Sequence, residues 1–210
     1  MDKASKTTLM TEGSIWKKII AFAVPLFLGN LFQQLYNTAD SLIVGNFLGS
    51  EALAAVSSSG SLIFLLVGFF NGIAIGAGVV IGRYYGARQI DKVQKAIHTT
   101  IAFGLAAGVA LTVIGVLLTP QLLLWMGTPQ DVLPNSILYF RIYFCGSLAF
   151  VLYNIFVGIL QSVGDSRHPL VYLIISSVVN ILLDLLFVGV MGFGVGSAAM
   201  ATTVSYTHLR

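Results

Sequence analysis

The chain has 210 residues, of which 57% are hydrophobic and 9% charged, and its mean hydropathy is +0.91. An ordinary soluble domain carries about a quarter charged residues, so these figures exclude most soluble enzymes and binding modules. The net charge of +3 does not indicate nucleic acid, because the Lys and Arg residues fall between apolar segments instead of forming one patch with interleaved aromatics.

In chain order, the N-terminal stretch with Lys3 and Lys6 has no signal-peptidase site, and the first apolar segment reads as a membrane span. A hydrocarbon core about 30 Å thick needs roughly 20 apolar helical residues. Five segments meet that length: 15–45, 53–81, 97–118, 135–162 and 170–190. A sixth begins at 196 and reaches Arg210 too short to span, so the sixth helix is expected to be truncated.

Segment one contains Pro25, which removes a helix hydrogen bond and is expected to act as a hinge. Beyond it, Asn30, Gln33 or Gln34, Asn37 and Asp40 recur at spacings of three and four, a polar stripe that cannot face lipid and is expected to line a cavity. Segment two carries glycines four apart, at Gly68, Gly72 and Gly76 and again at Gly78, Gly82 and Gly86, as segment three does at Gly104 and Gly108. That spacing suits close helix packing or a sliding contact. His98 and Arg141 read as interfacial residues, and the lone Cys145 as a buried structural thiol outside any disulfide framework.

Asp40 and Asp184 are the two acids embedded in apolar helices, where a carboxylate is expensive and by default functional. Asn180 lies one helical turn from Asp184 on the same face. Asp184 is about 21 Å of helix from the start of its segment, and Thr202 and Thr203 are about 9 Å from the start of theirs, entering from the other side. With Tyr139, these residues converge on one level. Two carboxylates, an amide and hydroxyls in a low-dielectric setting would hold H⁺ or a hard cation, and the residues leave the choice between Na⁺ and H⁺ open.

Lys3 and Lys6 precede segment one and Lys17 and Lys18 lie in its first turn, Arg83, Arg88, Lys92 and Lys95 separate two from three, and Arg167 separates four from five, whereas 46–52, 119–134 and 191–194 carry no Lys or Arg. The positive-inside rule therefore predicts a multi-pass inner (plasma) membrane protein with a cytoplasmic N-terminus. No phosphate-binding loop, nucleophile elbow or His/Cys ligand spacing occurs, and N-T-A-D-S and I-L-L-D-L lack the neighbouring glycine motif of an intramembrane aspartyl protease. A transporter is expected rather than an enzyme.

The stretch P-L-F-L-G-N-L-F-Q-Q-L-Y-N-T-A-D-S-L-I-V-G-N-F-L-G, then E-A-L-A-A-V-S, G-R-Y-Y-G-A-R, L-Q-S-V-G-D-S-R-H-P and V-V-N-I-L-L-D, resembles the prokaryotic branch of the MATE (multidrug and toxic compound extrusion) transporters along nearly the whole chain. The resemblance implies the all-α, six-helix N-terminal lobe of a twelve-helix antiporter that exports organic cations in exchange for Na⁺ or H⁺. It also implies a cation site at Asp40, Asn180, Asp184 and Thr202, with Tyr139 nearby. No cofactor is expected beyond the coupling ion. The expected partners are the lipid bilayer, small amphiphilic or cationic substrates and a missing C-terminal lobe, with no nucleic acid. The final Ser205-Tyr-Thr-His-Leu-Arg210 departs from the family pattern, and the chain by itself is not expected to transport. A lipid-linked-precursor or polysaccharide flippase is the alternative, although such proteins should show several cavity arginines. A non-transporting assembly module would explain the length but not the paired acids.

Overall fold

The structure, a computed structural model, describes residues 14–58 and 60–207. Lys3, Lys6 and Arg210 lie outside the described residues. Those described form helices α1 (Ile15–Ser58), α2 (Gly60–Gly86), α3 (Ile90–Trp125), α4 (Leu133–Cys145), α5 (Ser147–Ser162), α6 (Arg167–Asp184) and α7 (Val195–Thr207), with a π-helical turn at Leu185–Val190 between α6 and α7.

At 1.5 Å per residue the 44 residues of α1 would reach about 66 Å if straight, twice a hydrocarbon core. The run is broken at Gly49, whose φ of 84° and ψ of −177° suit glycine. A Cβ on Gly45 would lie 3.3 Å from the Leu53 side chain, a contact that about 12 Å of straight helix would forbid. The chain therefore folds back at Gly49, and the stretch 46–52 expected as a loop is helical on both sides of one glycine. The helix continues through Pro25 without interruption.

The fourth segment, expected as one span over 135–162, is two helices bent by 50° where α4 meets α5. Gly146 sits at the bend with Thr203 of α7 against its backbone, in the space a Cβ would occupy. Thr112 of α3 and Ser147 of α5 join hydroxyls at 2.9 Å beside it.

Among the described residues, two clusters form the core. One joins Ile43 and Val44 of α1, Leu123 of α3, Tyr139, Phe140 and Phe144 of α4, Val188 of the π turn, and Ala198 and Ala199 of α7. The other joins Phe70 of α2 to Phe150, Val151 and Ile155 of α5. The α2–α5 contact is close because Gly78 and Gly82 leave room for the α5 backbone: a Cβ on Gly82 would lie 3.1 Å from the Ser162 carbonyl oxygen. Gly68, Gly72 and Gly76, on the same helix, face open space. Equal spacing thus marks two different environments.

Cys145 corrects the expectation of a buried thiol: it is exposed at the end of α4. An apolar run describes both the lipid-facing and the core-facing side of a membrane helix, so composition alone did not separate them.

Candidate cation site

Asp184 is fully buried as the last residue of α6, and Asn180, one turn earlier, is 1% exposed. Asp40 is half-buried on α1, which packs along α6 with Gly29 against Leu170 and Leu173. Asp40 and Asp184 lie near enough for their carboxyl groups to interact. Two carboxylates are both acceptors, so a bond between them requires a proton on one. Among the described residues, the buried Asp40 Oδ1, Asp184 Oδ1 and Oδ2, and Asn180 Oδ1 and Nδ2 have no hydrogen-bond partner. Buried polar atoms are nearly always paired, and here the exceptions gather on three residues of two adjoining helices.

Thr202 is buried on α7 with its hydroxyl donated to the Ala198 carbonyl at 3.1 Å, which leaves its oxygen lone pairs available. Thr203 is instead turned to Gly146. α7 is tied to α6 where Ser176 Oγ donates to the Ser205 carbonyl at 3.2 Å. Tyr139 is buried in the cluster that contains Ile43, Val44, Val188, Ala198 and Ala199, neighbours in sequence of Asp40, Asp184 and Thr202, and its ring stacks on Tyr143.

The helix changes character directly after Asp184. The amide of Met191 donates to the Leu186 carbonyl at 2.9 Å, a five-residue hydrogen bond that defines the π turn. Such turns recur at functional sites. No feature of L-L-F-V-G-V announced it.

Toward the other end of α1, a cleft of about 700 Å³ lies between α1, α2, α5 and α6. Pro25, Asn30 and Gln33 line it. Gln34 and Asn37 do not; both are exposed, and Asn37 Nδ2 donates to Gln34 Oε1 at 3.4 Å. At 100° per residue Asn37 lies between Asn30 and Gln33 around α1 but about 6 Å further along it than Gln33, whereas Gln34 lies on the edge of the stripe. Asn71, Tyr153, Asn154 and Gln161 line it too and were not singled out, although amides within apolar runs carry the same signal as Asn180 in weaker form.

The family model for MatE matches residues 25–186. The chain belongs to the MatE family. It is 38% identical over 203 residues to the probable multidrug resistance protein YoeA of Bacillus subtilis (strain 168), an alignment covering 95% of this chain and 44% of that protein. It superposes with a TM-score of 0.91 and 29% identity on a crystal structure of MATE in the bent conformation, over 99% of this chain and 46% of that one. A crystal structure of MATE in the straight conformation matches with a TM-score of 0.90, also at 29% identity, over the same shares. This MatE chain thus spans about half the length of the relatives it matches, and its helices correspond to the N-terminal lobe of such a transporter.

Proposed function

We propose that this MatE lobe is the cation-coupled half of an exporter that exchanges small amphiphilic or cationic compounds for Na⁺ or H⁺. The observation that carries the reading is the set of unpartnered buried atoms on Asp40, Asn180 and Asp184. A cation bridging the carboxylates, or a proton placed between them, satisfies those atoms and removes the like-charge repulsion, whereas the bare pair has neither benefit. Thr202 supplies a further oxygen, and Tyr139 packs behind the site. The cleft past Asn30 and Gln33 gives an amphiphile apolar walls with a few amide groups to orient it.

Pro25 is the hinge in this reading, since it borders the cleft on the helix that bears Asp40. Its missing amide lowers the resistance of α1 to bending. The bent and straight relatives support such a motion. A second lobe of similar length completes the substrate cavity, and rocking of the two lobes alternates access. Lys17, Lys18, Arg83, Arg88, Lys92, Lys95 and Arg167 then mark the cytoplasmic side of the inner membrane.

Two measurements test this. Purified chain should bind ²²Na⁺ in competition with H⁺, and Asp40→Asn and Asp184→Asn should each abolish that binding. Cells producing the chain joined to a second MATE lobe should export ethidium in a Na⁺- or pH-gradient-dependent manner. Gradient-dependent export that persists without either carboxylate places the coupling site elsewhere.

A further inference from the structure

A second, smaller concavity, toward the N-terminal end of α1, shares only Pro25 with the cleft of that mechanism. It is an open groove of about 420 Å³ walled by Ile20, Ala21, Val24 and Pro25, and flanked by Lys17 of α1 and by Arg167, the first residue of α6. Its walls face outward: Ile20 is 58% and Val24 48% exposed. Among the described residues, neither the Lys17 ammonium nor the Arg167 guanidinium has a hydrogen-bond or ion-pair partner. The neighbouring acid, Asp165, is committed to the His168 ring and to the backbone amides of Arg167 and His168.

We propose that this groove binds an anionic glycerophospholipid, its phosphate held between Lys17 and Arg167 and an acyl chain laid along Ile20, Ala21 and Val24. Charge selects this occupant. Two cations from separate helices at the end of an apolar channel match one molecule carrying an anionic head and a hydrocarbon tail. An organic cation is repelled by the same pair, and a soluble polyanion gains nothing from the apolar walls. The length fits as well, because Lys17 and Pro25 are separated by about 12 Å of helix, running from the headgroup region into the hydrocarbon. Since Pro25 belongs to both this groove and the 700 Å³ cleft, a bound lipid sits against the turn of α1 where the backbone hydrogen bond is missing.

The test uses the two tryptophans, Trp16 beside Lys17 and the distant Trp125. In a Trp125→Phe background in nanodiscs, dibrominated phosphatidylglycerol is expected to quench Trp16 at a mole fraction at least about fivefold lower than dibrominated phosphatidylcholine, the factor expected from even one basic side chain near the surface. Lys17→Gln with Arg167→Gln should make the two lipids equivalent. The charge-conserving Lys17→Arg with Arg167→Lys should keep the preference, as should Lys92→Gln with Lys95→Gln, which removes equal charge elsewhere. Equal quenching in the parent protein, or loss of the preference in the Lys92/Lys95 variant as well, overturns the proposal. A preference that emerges only after residues 1–13 are removed also overturns it, and assigns the groove to the chain's own N-terminal segment.

Discussion

Asp184 has no exposure and two oxygens without a donor in the lobe, a condition that costs about 1–3 kcal/mol for each unsatisfied buried group. Stability and function should therefore separate at this position. Asp184→Asn removes one of two facing like charges and offers Asp40 an N–H donor, so in Na⁺-free detergent it is expected to unfold at a higher temperature, gaining about 1–3 kcal/mol. The same variant should lose any rise in melting temperature on adding Na⁺. A fall in both buffers would make Asp184 a packing residue. Asp40→Asn should act in the same direction and by less, because Asp40 is only partly buried, whereas Asp184 is fully buried. The two acids were legible in the sequence because a charge in an apolar helix has few inexpensive explanations, and Asn180 because it lies one helical turn from Asp184. Cys145 was misread, and Asn71, Asn154 and Gln161 were passed over, for a shared reason: the sequence of a membrane helix does not label which side meets lipid, a cleft or another helix. Asn154 even satisfies its own side chain locally, donating to the Phe150 carbonyl at 2.8 Å.

Among the helices, two glycine series on α2 separate packing from spacing. A Cβ on Gly158 of α5 would lie 3.0 Å from the Ala74 carbonyl oxygen of α2, so Gly158→Val should force the pair apart and destabilise by about 1–3 kcal/mol in reversible SDS unfolding. Gly72→Ala, directed at open space, should stay within about 0.5 kcal/mol of the parent. Equal effects would show that the α2–α5 contact is loose. Gly49→Ala tests the chain reversal: its backbone angles are strained for any residue with a Cβ, and a loss of about 1–3 kcal/mol is expected. The apolar segments of the sequence fall on α1, α2, α3, the α4–α5 pair and α6. The reversal at one glycine, the 50° bend at Gly146 and the π turn were not legible in it, because each depends on a neighbour from a distant part of the chain, Thr203 against Gly146 being the plainest case.

For the molecule as a whole, the alternation of basic and non-basic connections fixes an expected topology that a labelling experiment checks. The chain has one cysteine, so Cys145→Ser gives a blank background. A cysteine at exposed Asp131 should react with an impermeant maleimide on intact cells, and one at exposed Lys95 only after permeabilisation. The reverse pattern would invert the lobe and place the paired carboxylates nearer the cytoplasm. Within that frame, the π turn after Asp184 has a consequence for length tolerance. A π turn holds more residues than an α turn, so Leu185–Val190 carries slack in its winding. Deleting one residue there lets the segment relax to ordinary helix while the ends of α6 and α7 stay near their places. Deleting one from the middle of α6 instead swings everything beyond it by about 100°, turning Asn180 and Asp184 away from Asp40. The lobe should accept the first shortening and fail on the second, which makes the turn beside the carboxylates the place where this chain can change length without losing its site.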